Sequence, residues 1–423
     1  MQKMFRSFNG IILLIIAILL AAGCNTSALA PSSIYTPNLF DHIAASIGLA
    51  PENAGWVRSI SITDAQALLQ QYEVELQELR SQYQIHPLPQ EDFFLFGMGN
   101  RRKMVYRDGA LLDSLTQQVI KEWNVSHEVI LPPEYLVVIE TENGELVHIL
   151  EDEQGVWVAE NGKFQRLSAG KLSLPQFQLE EFPRVMRVLH QEVLINIVDG
   201  FPSPNYLVYS KPWYRDAAVM AMVLQETNNL HLIRSWIKDI RDPFDRNNAG
   251  IQEPDNLGQV LFLVSLVSDE NHPVVPTIMQ TIPAFEKDGG IEGLTDFSPH
   301  AVYQTLWLKF GLAALGLPDP YLVPDIKDNY ASLFWMAFRE LNDPPQNIFD
   351  SPAYPYLTTA QDHFFGKRNG TISNRNYPLT WESLASAASY EGMAIVSPAY
   401  MDQKTAAPHG WHAAEWFLLL KQD

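Results

Sequence analysis

From residue 63 apolar positions recur at helical spacing: Leu68, Leu69, Tyr72, Leu76, Leu79 and Tyr83 fall on one face. Thr63 and Gln66 form a T-x-x-Q capping box at the start of this helix, and Pro87 and Pro89 end the pattern. Between about 92 and 168 the period becomes two. Phe93–Phe96, Lys103–Arg107, Tyr135–Glu140, Glu145–Leu150, Val156–Glu160 and Lys163–Leu167 alternate or run apolar, as strands do. Asp108-Gly109, Asn143-Gly144 and Asn161-Gly162 lie between such runs, and these dipeptides favour mirror-image hairpin turns. A small antiparallel β unit packed on the first helix is expected. After Leu174-Pro175 the alternation gives way to apolar stretches of helical length, at 176–199, 213–228, 230–240, 256–268, 273–286, 300–315, 322–341, 379–395 and 409–421. Helices in succession without strands predict antiparallel helical hairpins. No fixed-period repeat is present.

The amino terminus carries a different signal. Lys3 and Arg6 precede the apolar run Ile11–Ala22, which ends in Gly23-Cys24. Basic region, apolar core and small-residue exit are the three parts of a secretory signal. The run is too short to cross a ~30 Å hydrocarbon layer as a helix. Ala22-Gly23-Cys24 resembles a bacterial lipobox, which implies cleavage before Cys24 and lipid on its thiol. Residues 25–55, with Pro31, Pro37 and Pro51, read as a tether. The expected organisation is a signal peptide at 1–23, a lipid-anchored tether at 24–55, a small α+β domain at 56–172 and a helical-hairpin domain at 173–423. The chain is expected to be exported and held at the outer side of a bacterial membrane through that lipid.

Composition narrows the chemistry. Hydrophobic residues make up 47% of 423, enough for a large core. Without Lys3 and Arg6, 27 basic residues face 49 acidic ones, about −22. Nucleic acid is therefore not an expected partner. Cys24 is the only cysteine. With its thiol committed to lipid, thiol nucleophiles, disulfides and cysteine-ligated metals are excluded. No G-x-S-x-G elbow and no G-x-x-x-x-G-K-[ST] loop occurs, so neither serine acyl transfer nor P-loop chemistry has support. Gly97-Met-Gly99 lacks the third glycine of a dinucleotide fingerprint.

The strongest local signal is Ser210-Lys-Pro-Trp-Tyr-Arg-Asp-Ala-Ala218. Ser210 can cap a helix, Pro212 suits its first turn, and Asp216 sits where the helix dipole favours negative charge. Asp216 can equally be a dipole-complementing acid paired with Arg215. The W-x-R-D-A element resembles the substrate-binding motif of the six-hairpin (α/α)6-toroid glycosidases. That resemblance implies a mainly α fold, an (α/α) toroid preceded by the small α+β domain. It also implies that Arg215 and Asp216 bind sugar hydroxyls while Trp213 stacks on the sugar.

Two other helix openings carry acids. Glu253 and Asp255 precede the apolar helix beginning at Leu257, and Trp381-Glu382 opens the one beginning at Ser383. Glycoside hydrolysis needs one protonated and one ionised carboxyl group across the bond. Asp216, Glu253 and Glu382 are therefore the candidate catalytic residues. Trp213, Arg215, Asp255, Trp381, His409 and Trp411 are the candidate substrate-binding residues. Capping or solvated acids and core aromatics remain the structural alternative for each. Asp245-Arg-Asn247-Asn-Ala-Gly250 begins like a calcium loop, but Asn256 stands where a bidentate glutamate belongs, and a polar turn is the simpler reading. His409 and His412 lack the spacing of a zinc helix motif, and no metal or cofactor is expected. The expected function is glycoside hydrolysis of an extracellular or cell-wall glycan. The alternative is a non-catalytic glycan-binding or structural envelope lipoprotein.

Overall fold

The computed structural model describes residues 51, 54–83, 93–207, 209, 211–326 and 409–421. Cys24, Trp381, Glu382 and the expected helices at 322–341 and 379–395 lie outside these stretches, apart from the few residues up to 326.

Helices α1 (Ala54–Ser59) and α2 (Ile62–Tyr83) lead into nine strands. Strands β1 (Phe93–Phe96), β2 (Met104–Arg107), β3 (Ala110–Asp113) and β4 (Val119–Glu122) form one sheet in sequential order. The second contains β5 (Val125–Leu131), β6 (Leu136–Thr141), β7 (Leu146–Glu151), β8 (Gly155–Glu160) and β9 (Lys163–Ala169), again in order. Every pairing is antiparallel. Asp108-Gly109 and Asn161-Gly162 turn with both residues left-handed, the geometry that matches strand twist. At Asn143-Gly144 only the glycine is left-handed, which gives a bulged loop instead.

Strand β6 reads Leu-Val-Val-Ile without polar interruption because both of its faces are covered. Val137 and Ile139 face the main core, while Leu136 and Val138 join Val57 and Ala65 of the amino-terminal helices and Ile60 between them. Strand β5 escapes sequence detection for the opposite reason: Ser126, His127 and Glu128 lie exposed in an edge strand, which blurs its alternation.

Beyond residue 172 the chain alternates helices with short hairpins. It forms α3 (Pro183–Ile195), β10 (Ile197–Val198), β11 (Phe201–Pro202), α4 (Tyr214–Glu226), α5 (Arg234–Lys238), α6 (Asp255–Ser265) and α7 (Val274–Thr281). Then come β12 (Glu286–Lys287) paired with β13 (Gly290–Ile291), β14 (Leu294–Thr295) paired with β15 (Ser298–Pro299), α8 (Ala301–Ala314) and α9 (Gly410–Leu420). Helix α9 packs on α3 and α4, α4 on α6, and α6 on α8. The last contact is backbone to backbone. A Cβ on Gly258 would lie 2.0 Å from the Trp307 carbonyl oxygen, and one on Gly311 would lie 2.3 Å from that of Gly258. Only glycine fits at either position.

The mainly α toroid expectation is overturned. The described chain is 39% helical and 22% strand, a mixed α/β architecture with sheets of four and five strands. Three further two-stranded hairpins interrupt the region expected to be purely helical. Several apolar stretches are also shorter helices than their pattern suggests: 230–240 contains a 3-10 turn and only the five residues of α5. Apolar runs there reflect burial rather than helix, since burial on all sides removes the periodic signal. The largest core cluster extends without a break from Phe96 and Val158 in the sheets to Phe417 in α9. Among the described residues no helix is long and apolar enough to cross a membrane.

Candidate active site

The opening turn of α4 is clamped by a loop far along the chain. Trp213 occupies the cap position with extended backbone but makes no side-chain cap bond. The cap comes instead from Asp245, whose Oδ2 accepts the Tyr214 N–H at 2.8 Å and whose Oδ1 accepts that of Asn247 at 3.0 Å. Asn247 Nδ2 donates to the Pro212 carbonyl at 2.8 Å. The segment with the calcium-loop spacing thus braces the helix, with both Asp245 oxygens bonded to backbone N–H groups. Ser210, the expected cap, lies outside the described residues.

This clamp sets Arg215 at the centre of a buried acidic cluster. Its Nε lies 3.1 Å from Asp255 Oδ2, its Nη2 3.3 Å from Glu253 Oε1 and its Nη1 2.6 Å from Asp296 Oδ2. Asp255 is fully engaged. Thr295 Oγ1 donates to its Oδ1 at 2.7 Å, and Gln259 Nε2 shares its Oδ2 with Arg215 at 2.9 Å. Glu253 bonds through one oxygen only: Oε1 accepts from Asn248 Nδ2 at 2.9 Å and from the Asp296 N–H at 2.7 Å as well as from Arg215. Its Oε2 is buried and has no hydrogen-bond partner among the described residues. The same holds for Asp216 Oδ1, whose nearest ring neighbour is His409 Nδ1 at 3.6 Å, beyond hydrogen-bonding range.

Charge bookkeeping around Arg215 explains the protonation states. One guanidinium cannot neutralise five acids, and the low-dielectric interior penalises every surplus charge. Burial raises the Asp216 carboxyl well above the usual carboxylate range, with Arg215 opposing. Burial likewise lifts Asp245 and pushes Glu253 up to about 7, Arg215 again acting against it. Burial drives the His409 imidazole down to about 3. Burial thus disfavours the charged form of both Asp216 and His409, which face each other at 3.6 Å.

Aromatic rings border the cluster on the α9 side. Trp213 stands edge-on to Tyr209 with centroids 5.6 Å apart, Tyr209 lies 6.2 Å from His409, and His409 lies 6.5 Å from Trp411. Of the residues expected from sequence, Trp213, Arg215, Asp216, Glu253, Asp255, His409 and Trp411 come together here. Trp381 and Glu382 lie outside the described residues. Arg215 and Asp255, expected to bind substrate, are tied to each other, so their visible role is to hold the cluster. Asp296 and Thr295 carry no recognisable motif, and Asn248 falls at a non-ligand position of the calcium-like spacing Asp245–Gly250. Asp296 is the open side of the cluster, its side chain 38% exposed. Among the described residues no group of three or more His, Cys, Asp or Glu is placed to hold a metal ion.

The raised Glu253 value has a consequence for stability. A group with a higher pKa folded than unfolded holds its proton more tightly in the native state. The stability it contributes is complete below its ordinary value of 4.5 and is lost as pH rises through about 7. Wild-type protein should thus lose on the order of 3 kcal/mol of unfolding free energy between pH 4.5 and 8 from this group. Asp216 and Asp245 act with the same sign, so Glu253→Gln should flatten the slope without abolishing it. Urea denaturation at pH 5 and pH 8 measures this, and equal slopes in wild type and variant would contradict the assignment.

No family model, curated protein or solved structure matches this chain. The resemblance of Trp213-Tyr-Arg-Asp-Ala to six-hairpin toroid glycosidases is therefore not upheld, since the fold is mixed α/β and no family match accompanies the motif. The motif marks the opening turn of α4, where Arg215 gathers Glu253, Asp255 and Asp296.

Proposed function

We propose that this chain is a carbohydrate-active enzyme that hydrolyses glycosidic bonds with two buried carboxyl groups. One observation carries the reading: within a single arginine-centred cluster, Asp216 Oδ1 and Glu253 Oε2 are buried carboxyl oxygens without a hydrogen-bond partner among the described residues. Buried polar atoms are ordinarily satisfied, and those that are not call for a ligand, a catalytic role or an ordered water.

The two groups suit different tasks. Asp216, whose carboxyl burial raises well above the usual carboxylate range, is the proton donor to the leaving oxygen. Glu253, poised near neutrality, is the base or nucleophile on the opposite side of the bond. In the hydrolytic balance the anomeric C–O bond breaks, the departing oxygen takes the Asp216 proton, and the oxygen of water bonds to the anomeric carbon. The proton lost by that water returns the pair to its starting state. Arg215 and Asp255 fix Glu253 in place through their mutual bonds. Tyr209 and Trp213 supply ring edges and faces for the apolar side of a sugar.

In this reading the substrate is an extracellular or cell-wall glycan, and the chain reaches it as an exported lipoprotein anchored through Cys24. The test is release of new reducing ends from soluble β-glucan, xylan, starch and purified peptidoglycan by the full-length protein. Release from at least one supports hydrolysis. Binding without release would reassign the protein to the non-catalytic glycan-binding alternative.

A further inference from the structure

We infer that Phe297 is a ligand platform, its ring held at the open edge of the acidic cluster to take the C–H face of a sugar residue of the glycan. This inference rests on the carbohydrate reading above. It starts from the turn between β14 and β15, where Leu294 pairs with Pro299 and Thr295 with Ser298, leaving Asp296-Phe297 as a two-residue loop. Both loop residues are left-handed, at φ 47° and 65°. Such loops favour glycine in the second position, because a side chain crowds the backbone there.

Four other two-residue hairpin loops among the described residues meet that demand. Asp108-Gly109, Asn161-Gly162, Asp199-Gly200 and Asp288-Gly289 each place glycine second, with left-handed backbone throughout. At 296–297 alone among these five a bulky aromatic stands where glycine belongs. Its ring then forgoes burial: Phe297 is 62% exposed, among the most exposed large apolar side chains of the described residues. Backbone strain and lost burial both act against phenylalanine here, so folding gives no reason for its presence. Outliers of this kind gather at ligand-binding positions.

The turn is held rigidly where a platform is needed. Asp296 bonds Arg215 through Oδ2 and accepts from Asn248 Nδ2 through Oδ1 at 2.8 Å, and its N–H donates to Glu253. Thr295 is fixed by Asp255 and by Gln304 Nε2 at 2.8 Å. A pyranose ring presents hydroxyls at its rim and C–H bonds on its faces. The Asp296 side gives the acceptors for the hydroxyls, and the next residue gives the aromatic face.

Phe297→Gly separates ligand binding from folding, because glycine relieves the turn while removing the ring. Calorimetric titration with the glycan panel used for hydrolysis, alongside thermal melting, is the experiment. The variant should bind the polysaccharide recognised by wild type about three- to tenfold more weakly, with its melting temperature equal or higher. Phe297→Leu, apolar but ringless, should weaken binding in the same way. Unchanged affinity in either variant overturns the platform while leaving the hydrolytic reading intact, and so does a fall in melting temperature that accompanies weaker binding. Wild-type protein that binds none of the panel removes the carbohydrate reading and the platform together, a result distinct from equal binding by wild type and variant.

Discussion

Asp216→Asn should reduce turnover of the hydrolysed glycan by about 100- to 10,000-fold, the usual contribution of a positioned general acid. The replacement is nearly isosteric, and burial already disfavours the charged form of the native group. An uncharged amide therefore suits the same environment, and the melting temperature should change little. The loss should also depend on the substrate. An aryl glycoside with an acidic phenol departs without needing a proton, so its hydrolysis should fall far less than that of the polysaccharide. Reducing-end assays on the glycan, with release of phenol from the aryl glycoside, read both quantities. Polysaccharide turnover near the wild-type rate would remove Asp216 from the mechanism. An equal loss on both substrates would assign it to binding rather than proton donation.

The second large effect concerns stability. Arg215→Met takes away the guanidinium shared by Glu253, Asp255 and Asp296. Breaking a buried ion pair by removing one partner typically destabilises by about 3–5 kcal/mol, because the remaining charge is left in a low-dielectric setting. Here three carboxylates lose their shared counter-ion. Glu253 can recover part of the loss by taking up a proton, so the variant should be destabilised far more at pH 8 than at pH 5. Urea midpoints at the two pH values measure this. A midpoint equal to that of wild type at pH 8 would mean that Arg215 contributes no net stabilisation. Arg215→Lys should be intermediate, since an ammonium keeps the charge but cannot address three carboxylates in one plane.

Much of the candidate site is visible in the sequence because helix openings are marked locally. Asp216 in the first turn of α4 and Asp255 at the first residue of α6 follow from the preference for acids at helix amino termini. Glu253, two residues earlier, follows with them. Asp296 does not, because Asp-Phe is a poor hairpin signal and the aromatic hides a turn that glycine would have announced. Asp288-Gly289 carries the standard signal, yet it lies beside an apolar stretch long enough to read as helix through residue 286. Asp245 shows the reverse case: its spacing is that of an ion-binding loop, and its oxygens cap a helix that begins thirty-one residues earlier.

The sequence by itself determined the local matters. It placed the amino-terminal β unit, the tight turns at Asp108-Gly109 and Asn161-Gly162, and the helix openings at Asp216 and Asp255. Each depends on neighbours within a few residues, where backbone preference and period act directly. Tertiary structure alone decided that the carboxyl-terminal half is not a pure helical array. It also decided that Arg215 unites Glu253, Asp255 and Asp296, and that burial lifts the Asp216 and Glu253 carboxyls above the usual carboxylate range. Those outcomes depend on burial and on charges brought together from residues 38 to 81 positions apart. No local pattern encodes a dielectric environment that exists only after the chain has closed around it.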